Sequence, residues 1–212
     1  MKKITKLLFF ALIMKPIIFI ILGLNIKNRD KLPIKGGAVI APNHNSHLDT
    51  MVIMSLYPLS LIERIRPVGA ADYFMKNKIL AWFSTYCLDL IPLHRDGSTS
   101  KEELFTNCHI ALNNKDILIL FPEGSRGKPE QMSRLKKGLF YMVKDLDDVS
   151  VTPIYMEGLG NSLPRGEALF VPFVCNVSIG NPIVVFETSK QLNTELNEFF
   201  SHAITRKIRD QV

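Results

Sequence analysis

The chain has 212 residues, 47% of them hydrophobic, with a formal net charge of +6, which suits one domain with a real core. All of that charge sits in residues 1–31, where seven basic side chains face Asp30 alone, leaving nineteen basic and nineteen acidic residues from Leu32 onward. This excludes a general nucleic-acid surface, which needs basic residues clustered on the folded domain, and points to an anionic membrane met by the N-terminus.

The first segment, ITKLLFFALIMKPIIFIILGL, holds two apolar runs split by Lys15-Pro16. A cleaved secretory signal fits poorly, because no small-x-small site follows and the second run continues where cleavage should fall. A single spanning helix would place Lys15 near its middle, at a cost of about 2.5–3.5 kcal/mol. Proline favours the first position of a helix, so the pattern predicts two short helices meeting at Lys15-Pro16. Such a hairpin would lie in one leaflet with its lysines reaching the headgroups. Residues 1–31 are therefore expected to be a membrane anchor and residues 32–212 an α/β domain.

After the anchor, strand-length apolar runs alternate with helical stretches. GAVIAP reads as a strand, TMVIMSLYPLS as a helix, RPVGA as a strand and DYFMKNKILAWFSTYC as a helix. LDLIPL is the next strand, STSKEELFTNCHIALNN a helix, and DILILF an uninterrupted apolar strand of the buried parallel kind. SRLKKGLFYMVKDL reads as a helix and VSVTPIYMEG, CNVSIG and PIVVF as strands, with KQLNTELNEFFSHAITRKIRD a closing amphipathic helix. The fold class is α/β, a largely parallel sheet flanked by helices and preceded by the membrane-associating helical hairpin. Cys87, Cys108 and Cys175 have no paired spacing and read as buried free thiols in a reducing compartment, with no disulfide framework or zinc ribbon.

In parallel sheets ligands bind beyond the carboxyl ends of the strands. NHNSHLDT follows the first strand, HRDG the third and PEGSRG the strand DILILF, so three polar clusters fall on one rim. His44 and Asp49, five apart, meet only if His44 lies in the turn and Asp49 in the first turn of a helix. Ser46-x-x-Asp49 has the pattern of a capping box that would start that helix. Two readings stand at this point: Asp49 caps a helix beside a loop histidine, or Asp49 orients His44 as a general base. A metal reading, with His44, His47 and Asp49 as ligands, finds no further Cys/His cluster to complete it.

In FPEGSRG, Pro122 and Gly124 force a turn that presents Glu123 and Arg126, and a guanidinium is the natural partner of a phosphate. An internal Glu123–Arg126 pair on a surface turn is the plainer alternative. Arg95 offers a second phosphate contact, or is a solvated loop arginine. Lys136 and Lys137 stand near a helix start, where cations oppose the helix dipole unless an anion sits there. No G-x-S-x-G elbow or phosphate-binding glycine loop is present, so a base and an anion site suggest direct transfer to an activated hydroxyl.

Four ordered blocks between about residues 40 and 160 resemble the glycerolipid acyltransferase family that includes the 1-acyl-glycerol-3-phosphate acyltransferases. They are Asn43-His44-x-Ser46-x-x-Asp49, Leu90-Ile91-Pro92-Leu93-His94-Arg95, Phe121-Pro122-Glu123-Gly124-Ser125-Arg126 and Val151-Thr152-Pro153-Ile154. The second departs from the family's usual form at Pro92 and His94, and the fourth carries an extra threonine. The resemblance implies transfer of a fatty acyl group from acyl-CoA or acyl carrier protein to the hydroxyl of a lysophospholipid, most readily 1-acyl-glycerol-3-phosphate. It implies His44 as the base held by Asp49, and Arg95, Glu123, Gly124 and Arg126 around the acceptor's phosphate, assisted by Lys136. No metal or organic cofactor is implied, and the expected location is the cytoplasmic face of a bacterial inner membrane. A lipid or thioester hydrolase and a non-catalytic membrane lipid-binding protein are the competing readings.

Overall fold

The computed structural model describes residues 1–21, 23–46, 48–95, 100–125, 132–159 and 174–210. Seven strands form one sheet: β1 (Gly23–Lys27), β2 (Ala38–Pro42), β3 (Ile65–Ala70), β4 (Ile91–Leu93), β5 (Ile117–Ile119), β6 (Ser150–Glu157) and β7 (Val174–Ile179). Their order is β1-β7-β6-β2-β5-β3-β4. From β6 to β4 every pair is parallel; β7 runs antiparallel to β6, and β1 pairs parallel with β7.

The central strands are covered on both faces. Every residue of β2 is buried, with Ala38 and Ile40 in the core on one face and Val39 and Ala41 in the core on the other. The first face is covered by the N-terminal segment and α2 (Asp49–Leu56). The second is covered by α5 (Lys101–Asn113), α6 (Gly138–Val143) and α7 (Ser189–Asp210), through Phe105, Leu112, Met142, Leu196 and Phe200. Ser100 and Glu103 start α5 with a reciprocal capping box. All three cysteines are buried thiols, and burial pushes Cys108 up to about 12.

The N-terminal segment differs from a hairpin bent at Lys15-Pro16. It is helical from α1 (Lys2–Phe9) through to Ile21, and Lys15 itself keeps right-handed helical angles. Its inner stripe is Lys6, Phe10, Met14 and Ile18, spaced by four. An α-helix drifts about 40° over each such step, and π-helical stretches at Phe10–Met14 and Ile17–Ile21 take up the drift. Lys6 and Lys15 do not reach outward to headgroups: Lys6 Nζ donates to Ile65 O at 2.7 Å and Lys15 Nζ to Tyr57 O at 2.6 Å. Arg29 donates to Leu56 O, so two cations satisfy carbonyls at the end of α2, where the helix dipole favours them. The expected anchor thus supplies a buried stripe and the edge strand β1 to the α/β fold. Among the described residues no helix is long and apolar enough to cross a membrane.

Three further differences from the sequence reading have local causes. PIVVF is not a strand: on β6, β7 takes up only Ile154–Glu157, and below it Ile183 makes one antiparallel bridge to Val151 while Val184 and Val185 are exposed. The helix expected over 72–87 is broken into α3 (Ala71–Phe74) and α4 (Lys78–Phe83), because Asn77 accepts the Ile79 N–H and starts a new helix. The helix expected over 133–146 shortens to α6, since Lys136 donates its main-chain N–H to Pro122 O instead of to a helical turn.

Candidate active site

β2 ends at Pro42, which has no N–H to continue a ladder, and Asn43 completes the pairing with its side chain. Asn43 Nδ2 donates to Met156 O at 2.8 Å and its Oδ1 accepts the Met156 N–H at 2.7 Å. The amide imitates one more peptide of β2, so the strand is closed off while the backbone turns away. Asn45 Nδ2 adds a second bond to the same Met156 carbonyl at 3.0 Å. His44 is held between these two anchors.

Three contacts fix His44. Its main-chain N–H donates to Glu123 Oε1 at 2.8 Å, its ring stacks on Phe121 with centroids 3.8 Å apart, and its Nδ1 meets Asp49 Oδ2 at 2.9 Å. A carboxylate accepts only, so it keeps the proton on Nδ1 and leaves Nε2 as the basic nitrogen. Nε2 has no hydrogen-bond partner among the described residues, and the side chain is 18% exposed.

Asp49 is 0% exposed, and its Oδ2 also accepts the N–H groups of Asn45 at 2.7 Å and Ser46 at 2.8 Å. The full capping box expected from Ser46-x-x-Asp49 does not form. Asp49 does reach back to the Ser46 N–H, but Ser46 Oγ accepts from Leu48 N rather than Asp49 N, and α2 begins at Asp49 itself. The carboxylate folds the turn and orients the imidazole at once.

The second cluster follows β5. Glu123 is 1% exposed, and its Oε2 accepts the Ser133 N–H at 2.7 Å, so both carboxylate oxygens are engaged by backbone. Gly124 turns at φ +72°, and an added Cβ there would lie 2.9 Å from Lys136 Cδ and 3.1 Å from Lys136 Nζ. The Lys136 side chain therefore lies across the glycine. Arg95, just past β4, donates from Nη1 to Gly124 O at 3.3 Å. Two cations thus converge on one glycine.

His44, Asp49, Arg95, Glu123, Gly124 and Lys136 accordingly gather on the rim formed by the carboxyl ends of β2, β5 and β4. Arg126 and His47 lie outside the described residues. Sequence reasoning gave no role to Asn43, Asn45 or Phe121; an asparagine directly after a strand-ending proline was the available signal for the first.

Comparison with known proteins gives a consistent picture. A family model described as acyltransferase matches residues 23–157. A chloroplastic 1-acyl-sn-glycerol-3-phosphate acyltransferase of Arabidopsis thaliana is 29% identical over 144 residues, covering 68% of this chain and 38% of that protein. One from Brassica napus is 27% identical over 128 residues, covering 60% of this chain and 35% of the relative. The chain thus spans well under half the length of these relatives, and their chloroplastic location lends no support to a bacterial inner membrane. The crystal structure of a 1-acyl-sn-glycerophosphate acyltransferase from Thermotoga maritima shares the fold, with a TM-score of 0.73 and 19% identity over 94% of this chain and 79% of that one.

Proposed function

The chain belongs to the acyltransferase family, and from that premise we propose that it esterifies a lysophospholipid, 1-acyl-glycerol-3-phosphate foremost, using acyl-CoA or acyl carrier protein as donor. One observation carries the reading: a buried carboxylate 2.9 Å from His44 Nδ1, with Nε2 unengaged at the rim among the described residues. His44 Nε2 takes the acceptor's hydroxyl proton as its oxygen attacks the thioester carbonyl. The imidazolium, stabilised by Asp49, returns that proton to the departing thiolate as the tetrahedral intermediate collapses to the new ester. Arg95, Gly124, Arg126 and Lys136 hold the acceptor's phosphate, whereas Glu123 braces the loop and leaves no free oxygen for substrate. The chemistry needs no metal or organic cofactor.

Membrane association belongs to the same proposal. Ile4, Leu8, Leu12, Ile13, Phe19 and Ile20 are exposed along the outer side of the N-terminal helical segment, the apolar surface a lipid-embedded substrate would require.

The test is release of free thiol from acyl-CoA with and without lysolipid. Acceptor-dependent release that disappears in His44→Ala, with vesicle binding retained, supports the reading. Full turnover in that variant would refute the base, and release that ignores the acceptor would make the protein a thioester hydrolase.

A further inference from the structure

β5 sends alternate side chains to opposite faces of the sheet. Ile117 and Ile119 pack with the N-terminal segment and α2, whereas Leu118 belongs to the other core. Phe121 continues the first series two residues on, packed against the same core but only half-buried. Leu120 N still donates to Ile40 O at 3.0 Å, so the parallel register with β2 holds to the end of the strands. The ring of Phe121 therefore lies where β2 gives way to the catalytic turn. There it meets the imidazole of His44 face to face, with centroids 3.8 Å apart and planes 24° from parallel.

This contact supplies two things that Asp49 does not. The single hydrogen bond from Nδ1 to Asp49 Oδ2 fixes one point of the imidazole and leaves rotation about that bond. A flat neighbour stacked at 3.8 Å removes the rotation, so Nε2 keeps one direction. The second contribution concerns charge. Asp49 touches the imidazole, whereas Glu123 reaches only the main-chain N–H, and the cations Arg95 and Lys136 converge on Gly124, three residues beyond Phe121. Those cations oppose a new positive charge on His44. The face of an aromatic ring is its negative side, and it attracts a cation laid on it.

Resting on the acyl-transfer reading, we propose that Phe121 is a positioning residue for His44 whose π face stabilises the imidazolium formed during transfer. The proton that Nε2 takes from the acceptor's hydroxyl leaves the imidazole positive until the departing thiolate takes it back. The attraction to Phe121 is weak while the imidazole is neutral and grows as the charge develops. An interaction stronger in the transition state than in the ground state raises kcat and leaves KM alone. Phe121 acts through His44.

The test replaces Phe121 in the full chain by mono-, di- and trifluorinated phenylalanine, with Phe121→Tyr and Phe121→Leu beside them. Single-turnover transfer and steady-state KM values are read in phosphatidylglycerol vesicles carrying 1-acyl-glycerol-3-phosphate, with acyl-CoA as donor. Fluorine draws electron density from the ring face with little change of shape, so packing and ring plane persist while the attraction falls. Expected is a transfer rate that drops about twofold with each fluorine, at constant KM for both substrates and a constant urea midpoint. Phe121→Tyr keeps the aromatic face and should stay near the wild-type rate. Phe121→Leu loses plane and face together and should fall roughly ten- to thirtyfold. A flat fluorinated series in a protein that transfers acyl groups overturns this inference and leaves the acyl-transfer reading intact, and so does Phe121→Leu at the wild-type rate. Thiol release that ignores the lysolipid yet falls along the series replaces that reading and keeps Phe121 in its role. A wild type that releases no thiol sinks both.

Discussion

The main-chain N–H of His44 donates to one oxygen of Glu123 at 2.8 Å, while the other oxygen takes the N–H of Ser133 at 2.7 Å. A carboxylate that is 1% exposed thus ties the turn after β2 to the segment leading into α6. Glycine and proline on either side make a turn, but this acid fixes where the turn sits relative to the imidazole. Its position within FPEGSR suggested a substrate contact; its geometry is that of a brace.

Glu123→Gln separates those roles. The substituted amide offers one oxygen where two backbone donors converge, so one N–H is left facing an NH₂ group. Leaving a buried donor unsatisfied costs about 1–3 kcal/mol. The expected result is a fall in kcat of roughly tenfold or more at nearly constant acceptor KM, with a lowered urea midpoint. A raised acceptor KM at unchanged kcat would instead make Glu123 a ligand of the substrate.

Asp49→Asn should do more damage than its size suggests. Asp49 Oδ2 receives His44, Asn45 N and Ser46 N together, and an amide oxygen in that place would meet the same three donors with no charge behind it. The imidazolium formed during transfer would lose the carboxylate charge that stabilises it, and the corresponding substitution costs roughly 10⁴-fold in a serine-protease triad. Thiol release in single-turnover experiments is expected to fall at least a thousandfold. A loss of under tenfold would show that the pair does not act as base and orienter.

Much of this site was legible because it obeys local rules. Strand-helix alternation gave the parallel sheet, and with it a shared rim for His44, Arg95 and Glu123. What escaped was set by tertiary packing. Gly23–Lys27 alternates exposed and half-buried residues weakly and follows a long apolar run, so nothing local marks it as β1; its pairing with β7 does. Lys6 and Lys15 look like headgroup-seeking cations until Ile65 and Tyr57 present carbonyls 59 and 42 residues away. Phe121 reads as the end of an apolar strand, and only the fold reveals a ring stacked on the base.

Gly124→Ala tests the cation pair at the turn. At φ +72° an alanine is strained by about 1–2 kcal/mol, and its Cβ would press on Lys136 Cδ at 2.9 Å. That contact is with a flexible side chain, which will swing aside and carry its ammonium out of the site. Expected is modest destabilisation with an acceptor KM raised several-fold and kcat little changed. If stability falls while KM holds, Lys136 takes no part in binding.

Lys6 predicts how stability follows pH. It is 2% exposed, and burial pushes its ammonium down to about 8 from 10.5, with Asp89 partly opposing and Arg66 reinforcing the shift. Below pH 8 both folded and unfolded chains carry the proton, so the cost of burying the charge is present in full. Between 8 and 10.5 the unfolded chain binds more protons than the folded one, and raising the pH therefore stabilises the fold. The contribution is complete above 10.5 and is lost as pH falls through about 8. Lys6→Met removes the titration while keeping an apolar stem in the stripe with Phe10 and Met14. Urea melts at pH 7, 8, 9 and 10 should show the wild type gaining on the variant only above pH 8, by up to about 3 kcal/mol over the window. A wild-type-minus-variant difference that stays flat to pH 10 would mean that Lys6 keeps its proton in the folded chain, stabilised by the Ile65 carbonyl and Asp89 well enough to offset burial.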